Sequence, residues 1–191
     1  MASTAVARRR GWTRIVVVAL VVLSAGGCQW PRDADGTLDR VRDGTIRVGV
    51  AHNPPWTIVE GDGREPGGVE VVLARRLADS LGARVQWVPG GEAELMAGLS
   101  ERGLDLVVAG LDARSPWAQD VALTTDYLTT DEVVAVPGGE PVDTGTHLSG
   151  LDHVVAVPPG ENAWQSTVER FLLDLDDDEV RRLLDTHRAG A

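Results

Sequence analysis

The chain has 191 residues, a formal net charge of −11 and a single cysteine, and every one of its 18 basic residues is arginine. A surface this acidic repels nucleic-acid phosphates and anionic lipid headgroups, which argues against DNA or RNA binding and against a polybasic membrane dock. One cysteine excludes an intramolecular disulfide, so packing must supply the stability.

In chain order, Arg8, Arg9, Arg10 and Arg14 precede a short apolar stretch, 15–25, and the small residues Ser24-Ala25-Gly26-Gly27 lead to Cys28. Basic, apolar and small segments in that order make a secretory signal, and the cysteine after the small run resembles a bacterial lipobox. The expectation is a signal peptide over 1–27 whose removal leaves Cys28 lipidated, anchoring the chain to the membrane on its extracytoplasmic side. An uncleaved span needs about 20 apolar residues, and this one stops early at Gly26-Gly27, Gln29 and Pro31. Residues 28–44 read as a polar tether, and 45–191 as one domain with room for a real core.

Ile46-Arg47-Val48-Gly49-Val50 alternates as a strand does. Asn53-Pro54-Pro55 breaks it, because proline removes a donor and restrains its predecessor. A short strand over 57–59 and a turn over 60–63 follow. Val69, Leu73, Leu77 and Leu81 lie four apart, predicting an amphipathic helix over 69–81 closed by Gly82. The next strand is 83–88. A helix over 92–102 turns Leu95, Met96 and Leu99 inward and stops at Gly103. The run 104–109 is apolar except for Asp105, which suits a strand buried on both faces. Strand and helix alternating with short connections predict an α/β fold with a parallel sheet.

Beyond Pro116 the pattern changes. A strand is predicted over 131–137, a Gly-, Pro- and Thr-rich loop over 138–150, and a strand over 153–157. Asn162 is a candidate helix cap with Gln165 three residues on, opening a helix with the stripe Trp164, Val168, Phe171, Leu172 and Leu175. Asp176-Asp177-Asp178 ends it and favours the start of another, with Val180, Leu183 and Leu184 on its apolar side.

Four segments in this order carry a resemblance: Ile46-Arg47-Val48-Gly49-Val50, Pro54-Pro55-Trp56, Gly68-Val69-Glu70-Val71-Val72-Leu73-Ala74, and Leu104-Asp105-Leu106-Val107-Val108-Ala109-Gly110. Together they resemble family 3 extracellular solute-binding proteins, the amino-acid receptors of ABC importers. The resemblance implies a periplasmic-binding-protein-like α/β fold with two lobes clamping a ligand. Lobe one would span 45–125, a second lobe reduced to a hairpin remnant 126–160, and C-terminal helices 161–187. An internal deletion explains the short second lobe; a fragment cut off mid-domain is the alternative, which the capped final helices disfavour.

Open parallel sheets bind ligands beyond the carboxyl ends of their strands. Those ends are the loops 51–56 and 110–117, so the expected ligand-binding residues are His52, Asn53, Trp56, Glu70, Asp112, Arg114 and Trp117. Trp56 holds the family's aromatic position and is read as facing the ligand, the alternative being a core ring under the loop. Glu70 has a structural alternative at the start of its helix. Trp117 falls where the family carries the arginine that grips a ligand carboxylate, and indole cannot replace that bidentate contact. Arg114 could substitute from three residues away, or be a solvated loop charge.

His52, His147, His153 and His187 are scattered without metal-ligand spacing, and no hydrolase triad, phosphate loop or dinucleotide fingerprint is present. No cofactor and no enzymatic activity are expected. The expected function is a lipid-anchored receptor that binds a small polar, amino-acid-like solute and delivers it to a membrane transporter permease. The alternative is a degenerate receptor acting as a sensory or regulatory subunit of another membrane protein. A dehydratase-like enzyme is the third reading.

Overall fold

The computed structural model describes residues 31–61, 63–130 and 150–188. The expected signal peptide, Cys28, the strand over 131–137 and most of the loop 138–150 lie outside the described residues.

The sheet grows from β1 (Thr45–Val50), whose alternating Ile46, Val48 and Val50 are all fully buried. β1 pairs in parallel with β2 (Arg84–Pro89) on one side and β3 (Leu106–Asp112) on the other. Helices make the crossovers: after α1 (Thr37–Val41) and β1 comes α2 (Val69–Ser80), and between β2 and β3 comes α3 (Glu92–Ser100). This is the expected parallel α/β unit. The direction then reverses. β6 (Leu151–Val157) runs antiparallel to β3, and β4 (Ala122–Leu123) and β5 (Leu128–Thr130) both pair antiparallel with β6. α4 (Asn162–Leu173) and α5 (Asp177–Arg188) complete the chain.

β5 and β6, assigned from the sequence to a reduced second lobe, are therefore strands of the same sheet, and β6 lies inside it in the order β2-β1-β3-β6-β4. Residues 131–149, between them, lie outside the described residues.

Two apolar layers sandwich the sheet. In one, Val48, Val50, Leu106, Val108 and Val157 meet Leu73 and Leu77 of α2, Trp164 and Val168 of α4, and Val180 and Leu184 of α5. In the other, Val107, Ala109, Leu111 and Val154 meet Leu95, Met96 and Leu99 of α3. β3 feeds both, as its apolar run requires. Gly49 faces α3's side, where a Cβ would fall 2.8 Å from Leu104 Cδ1 and 2.9 Å from Val107 Cγ2. The missing side chain is what lets those residues close on β1.

Asp105, the one polar residue in that run, has a 1% exposed side chain. Its Oδ1 takes hydrogen bonds from Arg40 Nη2 and Arg47 Nη2, both at 2.6 Å, and its Oδ2 takes the Arg47 backbone N–H at 2.8 Å. Trp164 Nε1 donates to the Asp105 carbonyl at 2.7 Å. One residue thus joins α1, β1, β3 and α4. Burial pushes the carboxyl up, but the hydrogen bonds from Arg47 and Arg40 outweigh it and hold its pKa below the ordinary range.

Several expectations are corrected. The tether ends before Asp33: Asp33 accepts from the N–H groups of Trp164 and Leu38, the buried Glu161 accepts from those of Asp35 and Thr37, and Leu38 and Val41 enter the core. α1 is too short to show periodicity. Asn162 does not cap α4; it is the first helical residue, and the Trp164 N–H is satisfied by Asp33 at 2.8 Å. Gln165 instead donates to the Leu123 carbonyl. The expected strand 57–59 is only two isolated bridges, Asn53 with Thr57 and Ile58 with Gly67. Among the described residues no helix is long and apolar enough to cross a membrane.

Candidate ligand-binding site

The loops after β1 and β3 meet at the carboxyl ends of the parallel strands. Asn53 closes its own loop by exchanging backbone hydrogen bonds with Thr57, while its side-chain amide donates to the Ala109 carbonyl at 2.8 Å. That bond ties the loop after β1 to β3. The approach depends on Gly110, at φ 62°, where a Cβ would fall 2.5 Å from Asn53 Nδ2 and 2.7 Å from Trp56 Cδ1. Positive φ and close contact both call for glycine here.

Beneath the loops lies a buried polar cluster. Glu70, fully buried at the start of α2, accepts from the Gly110 N–H at 2.9 Å and from Tyr127 Oη at 2.7 Å. Burial raises its pKa to about 7 against those hydrogen bonds. Burial and the neighbouring Glu70 charge push the Tyr127 hydroxyl well above its ordinary value. His153, on β6, is 3% exposed and packs against Trp56 with ring centroids 3.8 Å apart and planes tilted by 35°. Its Nε2 pairs with Thr130 Oγ1 at 2.8 Å, whereas its Nδ1 has no hydrogen-bond partner among the described residues. Burial lowers its pKa to about 4, keeping the ring neutral near pH 7.

The residues expected at the site divide into groups. Asn53, Trp56 and Glu70 converge on Gly110. Trp56 is 8% exposed, wedged between Gly110 and His153 in the core layer, the position that the alternative of a core ring under the loop describes. Glu70 takes its structural alternative. His52 is exposed, its Nδ1 accepting from the Val59 N–H at 3.0 Å. Asp112 accepts from the Arg114 N–H at 2.7 Å and pairs with its guanidinium at 3.5 Å. Trp117, on a 3-10 turn (Pro116–Gln119), donates from Nε1 to Glu92 Oε1 at 2.5 Å and packs against the α3 layer. Trp56 and Trp117 thus belong to the apolar layers on opposite faces of the sheet. Sequence reasoning missed Tyr127, Thr130 and His153; the one available signal was that Tyr127 is the only tyrosine.

A family model described as bacterial extracellular solute-binding proteins, family 3, matches residues 46–188. The chain belongs to that family. Solved structures agree on the fold: an ancestral cationic amino acid solute-binding protein superposes with TM-score 0.64 at 16% identity, covering 78% of this chain and 98% of that one. The arginine-bound form of domain 1 from TmArgBP gives 0.52 at 23%, covering 69% and 93%. Among curated proteins, the membrane-bound lytic murein transglycosylase F of Photobacterium profundum is 30% identical over 128 residues, 66% of this chain. That of Idiomarina loihiensis is 33% identical over 114 residues, 59% of this chain. The chain spans 24% of the length of each.

The family 3 resemblance therefore holds. The expectation of no enzymatic activity is corrected: the curated relatives matched are named as transglycosylases, which are enzymes. The four segments that carry the resemblance point to the solute-binding family and hold no signal for transglycosylases.

Proposed function

We propose that this chain is an extracytoplasmic ligand-recognition module of the cell envelope, held at the membrane through a lipidated Cys28. It binds a small polar solute derived from murein at the carboxyl ends of β1 and β3, around Asn53, the Gly110 loop, Asp112 and Arg114. The observation that carries this reading is the sharing of a family 3 domain with proteins named for murein processing. A free amino acid fits less well, because Trp117 stands where the family grips a carboxylate with arginine, and its indole is already committed to Glu92. The partner is then a membrane-bound murein-processing system. A transporter permease is the second reading, favoured by the family's description as solute-binding proteins.

Titration calorimetry tests it with three sets of ligands: free amino acids, murein peptides and soluble murein disaccharides. Binding of a murein fragment, weakened by Asn53→Ala, is the expected result. Silence across all sets overturns the reading, and saturable binding of free amino acids alone transfers it to the importer class.

A further inference from the structure

An open groove lies on the flank of β2, the marginal strand of the sheet, beside the strand-tip loop whose His52 accepts from the Val59 N–H. Its volume is about 570 Å³, and it is lined by Val59, Glu60, Arg64, Glu65, Trp87 and Pro89, among others. That volume is within the roughly 300–1,000 Å³ of small-molecule sites. Trp87 is half-buried and held in place: it packs on the core layer, its Nε1 donates to Glu65 at 3.2 Å, and the Arg75 guanidinium lies over its ring, 5.5 Å from the centroid, so a stacking ligand takes the place of Arg75, whose side chain is 39% exposed. A ring already oriented loses little freedom when a ligand stacks on it.

We propose that this groove is a glycan-binding site, taking a sugar ring of a murein strand with Trp87 as its platform. It rests on the reading above of murein as the ligand source. The chemistry is complementary. A pyranose offers an apolar C–H face to an indole, and its hydroxyl and N-acetyl groups need acceptors and donors around the rim. Glu60 and Glu65 supply acceptors and Arg64 supplies donors. The ion pairs that these groups make, Arg64 with Glu60 and Arg75 with Glu65, have partners 39–69% exposed. Such surface pairs hold little energy, so they exchange readily for ligand contacts. An extended peptide pairing along β2 is disfavoured, because Pro89 offers no N–H at the strand's end and the charged Arg84 is exposed.

The test uses the full chain, with calorimetry against a peptide-free murein disaccharide and co-sedimentation with purified murein sacculi. The variants are Trp87→Ala, Trp87→Phe and the surface pair Glu60→Ala with Arg64→Ala, each checked for an unchanged melting transition. Trp87→Ala and the surface pair should weaken disaccharide binding at least tenfold, with Trp87→Phe intermediate and strand-tip solute binding unaltered. No disaccharide binding by the wild type, or full binding by the surface-pair variant, overturns the proposal. Groove-dependent binding of sugar-free peptide overturns it in favour of a peptide occupant. Disaccharide held in the groove while every ligand is silent at the strand tips sinks the strand-tip reading alone.

Discussion

Glu70 and His153 are buried in one cluster with opposite acid–base consequences, which makes their removal informative. Glu70 has its pKa raised from 4.5 to about 7 and His153 has its lowered from 6.5 to about 4. A raised value means that Glu70's contribution is complete below about pH 4.5 and lost as pH climbs through 7. A depressed value means that His153's contribution is present above about pH 6.5 and lost as pH falls through 4. At about 1.4 kcal/mol per unit, each change amounts to about 3 kcal/mol. Between pH 4.5 and 6.5 the two therefore nearly cancel, and this part of the wild-type profile is flat. Glu70→Gln keeps an acceptor for Gly110 and a partner for Tyr127 but removes one of the two titrations. Its stability should climb by about 3 kcal/mol from pH 4 to 6.5. His153 also feels Asp112 and Asp152, which favour its protonation, and Arg188, which opposes it; all three are common to both proteins. So are Asp105 and Glu161, whose lowered values act at the acid end. The assay is urea unfolding at half-unit steps from pH 4 to 8, read as the difference between the two proteins. Parallel profiles across that range would refute the reasoning.

Asp105→Ala should cost about 1–3 kcal/mol in urea unfolding, since it takes the buried acceptor from the Arg47 N–H while the two guanidinium groups, 44% and 30% exposed, regain water; Asp105→Asn should cost less. Gly49→Ala drives a methyl into Leu104 and Val107 and should cost about 1–3 kcal/mol by the same measurement. Gly110→Ala combines a positive φ with contacts at 2.5 and 2.7 Å, so it should destabilise by about 1–3 kcal/mol and abolish solute binding in calorimetry. Trp164→Phe loses the bond to the Asp105 carbonyl and leaves part of the fully buried indole's space unfilled, lowering stability by about 2–4 kcal/mol with no change in ligand affinity.

The strand-tip loops were legible as a candidate site because proline, glycine and aromatic residues cluster where strands end. Their inner support was not. His153 lies on β6, and its partners Trp56 and Thr130 are brought to it only by strand pairing. Trp56 shows the limit most clearly: its place after two prolines suggested exposure, yet the gap left by Gly110 and the face of His153 receive its ring.

Periodicity within each segment was enough to determine the parallel α/β unit from β1 to β3, because burial on one face or both imprints itself on neighbouring residues. The chain's own residues also determined that Asp105 is exceptional, as a lone acid in an apolar run. Only the tertiary structure decided what surrounds it and where the later strands go. Arg40, Arg47 and Trp164 reach Asp105, and Asp33 reaches the first turn of α4, across separations that no local pattern records. Hydrogen bonds and ring contacts between distant segments depend on how the sheet is ordered, and that order is set by the packing of both layers at once.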